Sequence, residues 1–100
     1  MTPIYHVTSK AEVEQARKSG EYVPGGFDRE GFIHCSYAHQ VSGVLSRFFK
    51  GQTGLVLLEI APDRVGCKVV DENLEGGSEL FPHIYGRLKM SAVVAVHELP

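Results

Sequence analysis

The sequence predicts a small α+β domain with about two helices and five or six strands. Two observations carry that prediction. The helical patterns fall early and most strand patterns fall late, so the elements are segregated and not regularly alternated. The apolar run Leu55-Val56-Leu57-Leu58, followed by Ile60, reads as a central strand covered on both faces. At 100 residues the chain has the usual length of one domain, here 1–100, and no linker, repeat or low-complexity segment interrupts it.

Residues 3–8 alternate as a first strand, with Tyr5 and Val7 on one face and Ile4, His6 and Thr8 on the other. Ser9 and Glu12 have the spacing of a capping box, so a helix starts there. It ends near Lys18 or Ser19, where Gly20 suits the left-handed closing position. Its apolar stripe (Ala11, Val13, Ala16) is thin, which places it on the domain surface. Pro24, Gly25 and Gly26 make 21–30 a loop or broken strand. Residues 31–35 read as a second strand. Ser36 then caps a helix over 37–50, whose stripe of Val41, Val44, Leu45, Phe48 and Phe49 has strong helical spacing. Lys50 sits in its last turn and Gly51 ends it.

Gly54 to Ala61 is the central strand, and Leu57→Ala there is expected to cost about 2–5 kcal/mol. Pro62-Asp63 turns the chain. A short strand over 67–72, a loop over 73–79 with Gly76 and Gly77, an extended segment over 80–85 and a last strand over 88–98 complete the order.

Composition narrows the function classes. Apolar residues make up 43% and charged residues 22%, which suits a packed globule and not a disordered chain. The net charge of −2 and the lack of any Lys or Arg run give no strong nucleic-acid signal. No stretch has signal-peptide or membrane-span character, so no membrane association and a cytoplasmic location are expected. Cys35 and Cys67 then read as free thiols. Cys35, beside Ile33, reads as a small apolar filler and not a nucleophile. A zinc cluster of His34, Cys35 and His39 is disfavoured, because Cys35 points away from His34 and no metal-ligand spacing occurs. No metal is predicted.

The polar landmarks are three of the five histidines: His6, His34 and His83. His6 with Thr8, and His34 with Ser36, are matched His-x-hydroxyl pairs on strands, so neighbouring strands would bring both imidazoles to one concavity. Such rings are suited to proton transfer or to holding ribose and phosphate. The bland alternative, of comparable weight, is a pair of hydrogen-bonded structural histidines. Phe81 and Tyr85 are flat surfaces for a base or nicotinamide ring, or plugs for the end of the core. Glu72 and Glu79 flank the preceding loop, where a solvated face is their plain reading.

Gly31-Phe32-Ile33-His34-Cys35-Ser36, then Gln40, then Phe81-Pro82-His83-Ile84-Tyr85-Gly86 resemble the signature of a bacterial family, domain-of-unknown-function family 952. Ile4-Tyr5-His6-Val7-Thr8 and the valine-rich last strand fit it too, so the resemblance covers nearly the whole chain. That family is similar to the ADP-ribosyltransferase fold, which implies a split, mainly antiparallel sheet around a nicotinamide dinucleotide cleft. It implies His6 in the place of the first-strand dinucleotide-holding residue, and His34 or Ser36 in the middle-strand place. The family pattern's late glutamate has no matching motif; His83 takes its position, with Glu72 and Glu79 as alternates. The catalytic set is then His6, His34 and His83, and the binding set Thr8, Ser36, Gln40, Phe81, Tyr85, Glu72 and Glu79. NAD is the implied substrate, with no covalently bound cofactor and a small nucleotide as partner.

Three function classes follow. The first is an ADP-ribosyltransferase-like protein that binds NAD or cleaves its nicotinamide–ribose bond. The second is a non-catalytic nucleotide or metabolite module. The third, suggested by the paired His motifs, is a two-histidine phosphoesterase, although that class generally uses a longer, internally duplicated chain.

Overall fold

The computed structural model describes residues 2–73 and 77–99. Strand β1 (Ile4–Ser9) leads into helix α1 (Lys10–Ser19). The Ser9 hydroxyl accepts the Glu12 N–H, and Gly20 closes the helix at φ 87° with its N–H on the Ala16 carbonyl. Val13 and Ala16 are the buried residues of this helix, so the thin stripe is what touches the core.

The segment over 21–30 holds more structure than its glycines predict. Strand β2 (Glu21–Tyr22) pairs with β7 (Leu88–Lys89), and a one-turn helix α2 (Phe27–Glu30) follows. Gly31, at φ 81°, closes that turn by donating to the Phe27 carbonyl. Strand β3 is confined to Ile33–His34. The next helix also starts later than Ser36. Tyr5 and Ser36 exchange both backbone hydrogen bonds, at 2.8 and 2.7 Å, which keeps Ser36 extended. A 3-10 turn over Ala38–Gln40 precedes helix α3 (Val41–Phe48), so Lys50 lies beyond its end.

The sheet core is divided. Strand β4 (Leu55–Ile60) lies between β1 and β8 (Val93–Glu98) in one three-stranded sheet. Strand β6 (Phe81–Tyr85) lies between β3 and β5 (Lys68–Glu72) in another. All pairings between these strands are antiparallel. The single last strand expected over 88–98 is interrupted at Met90–Ala92 by a 3-10 turn. That turn carries the chain from the β2–β7 pair to β4: the Met90 N–H binds the Gly20 carbonyl, and the Ala92 carbonyl accepts from Ala61.

The core is Ile4, Val56, Leu58 and Ile60 from the first sheet, Ile33 and Ile84 from the second, with Val13, Tyr22, Val65 and Leu88 between them. Strand β4 is central, as predicted, but its two faces differ. Val56, Leu58 and Ile60 are buried, whereas Leu57 and Glu59 are only half-buried. Leu57 is therefore the wrong core probe. The face that Tyr5, Val7 and Leu57 share is only partly covered.

Helix α3 shows the same effect. None of its residues is fully buried, and Phe48 is 51% exposed despite the apolar stripe. Cys35 is buried and both cysteines are free thiols. At Gly86 a side chain has no room: an added Cβ would lie 2.7 Å from Cys67 Sγ and 3.0 Å from Cys67 Cβ. Gly86→Ala is expected to cost about 1–3 kcal/mol by overpacking, read from the denaturation midpoint.

Candidate functional site

The partly covered face borders a cavity of about 480 Å³. That lies within the size range of small-molecule sites, roughly 300–1,000 Å³. Its apolar lining comes from Val44, Phe48 and Phe49 of the α3 stripe with Phe81 and Val7. Its polar lining comes from Glu30, His34 and Ser36, with His6 and Tyr5. Arg47 supplies a cation at the edge, its guanidinium 5.2 Å from the Phe48 ring centre. Asn73 and Gly77 line the remaining side, and the Asn73 side-chain amide donates to the Gly77 carbonyl. Gly76 lies outside the described residues.

His6 and His34 both border this cavity, in different roles. Both His6 ring nitrogens are engaged within the chain. Nδ1 lies 2.5 Å from the His34 carbonyl, which only accepts, so Nδ1 carries a proton. Nε2 lies 2.9 Å from the Tyr22 hydroxyl. Thr8 is buried behind the ring, receiving the Tyr22 hydroxyl at 2.9 Å and donating to Glu12 at 3.1 Å. His6 thus builds the wall and joins β1, β2 and β3; it does not present a free N–H to a ligand.

His34 is half exposed and differently held. Its Nε2 lies 2.9 Å from Glu30 Oε2, a carboxylate that accepts. Glu30 therefore fixes the Nε2–H tautomer of neutral His34 and leaves Nδ1 as the basic nitrogen. Glu30 and Arg47 have no motif signal in the sequence. Glu30 stands at the end of α2, closed by Gly31, and Arg47 lies within the last turn of α3.

His83 does not border the cavity. Register pairs it with His34 across β3–β6, with ring centres 5.2 Å apart and nearly perpendicular. It is buried, with Phe32 stacked on it at 4.4 Å, and its Nδ1 lies 2.9 Å from Glu72 Oε1. The Tyr85 hydroxyl donates to the same Glu72 oxygen. Those bonds, Tyr85 first and His83 second, hold the Glu72 carboxyl below the usual carboxylate range. His83, Glu72 and Tyr85 thus brace His34 from the adjoining strands.

Gln40 and Glu79 form an anchor. Buried Gln40 accepts the Tyr37 N–H at 2.9 Å and donates to the Leu80 carbonyl at 2.9 Å and to Glu79 at 3.5 Å. It fastens the chain just before Phe81 to the start of α3. Among the described residues no group of three His, Cys, Asp or Glu side chains is arranged to hold a metal ion. No helix among them is long and apolar enough to cross a membrane.

The family model for a protein of unknown function, DUF952, matches residues 7–96. The chain belongs to the DUF952 family. This DUF952 chain is similar to protein CC0527 from Caulobacter crescentus. The crystal structure of CC0527 superposes with a TM-score of 0.88 at 33% identity, covering 99% of this chain and 87% of that one. Its solution NMR structure gives 0.84 at 35% identity, covering 99% and 85%. No curated protein matches the DUF952 chain.

Two groups give acid lability the same sign. Burial holds His6 below its ordinary 6.5, so the unfolded chain takes up that proton first as pH falls. This contribution to stability is full above about 6.5 and is lost as pH falls to the folded midpoint. Glu72, held low, adds a second loss below the ordinary carboxylate range. Thermal melts across pH should show the melting temperature falling from near neutrality downward, with the first part of that fall missing in His6→Asn.

Proposed function

We propose that this chain binds a nucleotide in the cavity, with NAD as the ligand, and cleaves its nicotinamide–ribose bond there in the manner of an ADP-ribosyltransferase-like protein. The observation that carries this reading is the presence of aromatic side chains and the Glu30–His34 dyad around one 480 Å³ space. Phe48, Phe49 and Phe81 suit the stacking of a flat ring. Arg47 suits the pyrophosphate. The division of the strands among separate antiparallel sheets also supports the reading.

Cleavage breaks the ribose C1–nitrogen bond, and its electron pair neutralises the pyridinium as nicotinamide leaves. Positive charge develops on the ribose, where the Glu30 carboxylate would stabilise it. Water or another acceptor then attacks C1 and gives its proton to His34 Nδ1. Glu30 thus takes the part that the sequence pattern sought in His83, Glu72 or Glu79. The two-histidine phosphoesterase reading is weakened because both His6 ring nitrogens are committed within the chain.

Assay of free nicotinamide from NAD tests the chemistry. Wild-type release should fall by roughly 10²–10⁴-fold in Glu30→Gln. Saturable NAD binding without release would instead make the cavity a non-catalytic nucleotide module. Release undiminished in Glu30→Gln would remove Glu30 from the mechanism.

A further inference from the structure

The contacts behind His6 form one line: His34 carbonyl, His6, Tyr22, Thr8, Glu12. Four hydrogen-bonding contacts lie along it, at 2.5, 2.9, 2.9 and 3.1 Å. Each contact needs one proton. The His34 carbonyl at one end has none to give. With neutral His6 and an ionised Glu12, the line holds only three: one on His6 Nδ1 and one on each hydroxyl. One contact then has two lone pairs facing each other beside buried Tyr22 and Thr8.

One additional proton fills every contact in either of two ways. On His6 it makes an imidazolium, and the donors run from His6 to Tyr22, Thr8 and the Glu12 carboxylate. On Glu12 it makes a carboxylic acid, and the donors run back to a neutral His6. No heavy atom has to move between the two arrangements.

We infer that Tyr22 and Thr8 are a hydroxyl relay through which His6 exchanges a proton with Glu12, so that a residue outside the cavity sets the charge of its wall. In the transfer Nε2–H breaks as its proton passes to Tyr22, the Tyr22 proton passes to Thr8, and the Thr8 proton passes to Glu12. The ion pair becomes two neutral groups, and no oxidant or further reactant is needed. Burial pushes the Tyr22 phenol up to about 12, so it keeps a proton to pass on. Ser9 steadies the receiving end, with its hydroxyl 3.2 Å from the same Glu12 oxygen.

The groups facing His6 are known from each side. Glu12 favours its charged form from α1, and His34, itself bonded to Glu30, opposes it from β3. Tyr22 comes from β2 with buried Cys35 close to it. The consequence for ligands rests on the cavity being the nucleotide site proposed above: an anionic ligand would draw the proton to His6. Tyr22, Thr8 and Glu12 are positioning residues that need not touch the ligand.

The test needs no ligand. Nitrogen-15 NMR titration of the His6 ring in the free protein reads its midpoint and tautomer directly. Glu12→Gln should shift the His6 midpoint downward in the wild-type background. In Tyr22→Phe the same substitution should produce a clearly smaller shift, because the line is cut and only the through-space attraction of Glu12 remains. Thr8→Val, which cuts it one link further on, should behave alike and stands in if Tyr22→Phe does not fold. An equal Glu12→Gln shift with and without the Tyr22 hydroxyl would mean that Glu12 acts through space, and the relay would be refuted. No shift in the wild-type background would refute it equally. Neither outcome depends on whether NAD binds.

Discussion

Leu58→Ala is expected to lower the free energy of unfolding by about 2–5 kcal/mol, read by chemical denaturation. Leu58 is fully buried on the central strand and is paired with His6 on one side and Val96 on the other. Removing its side chain leaves a void where both neighbouring strands meet, and such a site collapses poorly. Leu57→Ala, one residue earlier, is expected to cost clearly less, because its half-buried side chain already meets a partly open face. Equal losses at the two positions would show that this face is as closely packed as the core. The stability of a domain this small is of the same order as that loss. If Leu58→Ala does not fold, Leu58→Val gives the smaller, measurable step.

His34→Ala is expected to leave the fold standing and to reduce nicotinamide release by roughly 10²–10⁴-fold. The ring is half exposed, so little core volume is lost. The backbone carbonyl that accepts from His6 remains in place after the substitution. What disappears is the imidazole that Glu30 orients at the polar wall. A sharp fall in melting temperature with undiminished nicotinamide release would make His34 structural, an edge-on ring partner for Phe32 and His83 and nothing more. His83→Ala provides the contrast. His83 is buried beneath Phe32 and bonded to Glu72, so its loss should appear first as lost stability.

The parts of the fold legible in the sequence are those with local causes. Helix α1 was marked at both ends, by a hydroxyl cap and a left-handed glycine, and each acts within a few residues. Strand β4 was marked by an apolar run too short for a helix. Helix α3 was legible as a helix, but periodicity reports an apolar face without saying what covers it. Here much of that face borders a cavity. Strands β2 and β7 were not legible, because two-residue pairs are made by contacts between distant segments. The 3-10 turn at Met90–Ala92 is likewise fixed by partners at Gly20 and Ala61.

The candidate site divides along the same line. His6 and His34 stood out because each recurs in a His-x-hydroxyl pattern, and both border the cavity. The likeness between the patterns did not extend to their roles. Thr8 is buried and accepts from the Tyr22 hydroxyl behind His6, whereas Ser36 borders the cavity. Gln40 stood out as part of a motif, and its place is structural, holding the chain ahead of Phe81. Glu30, Arg47 and Tyr22 carried no local signal. Glu30 reaches His34 only because α2 closes at Gly31, and Tyr22 reaches His6 only because β2 pairs with β7 beside it.

The cavity as a dinucleotide site is tested most directly by calorimetric titration of the purified protein with NAD, run beside Arg47→Glu. Arg47 is exposed, so reversing its charge should spare the fold while placing an anion where the pyrophosphate is proposed to lie. Saturable binding in the wild type that Arg47→Glu abolishes is the result predicted. No binding at millimolar NAD, or binding that Arg47→Glu leaves unchanged, would contradict it and assign the cavity to another ligand.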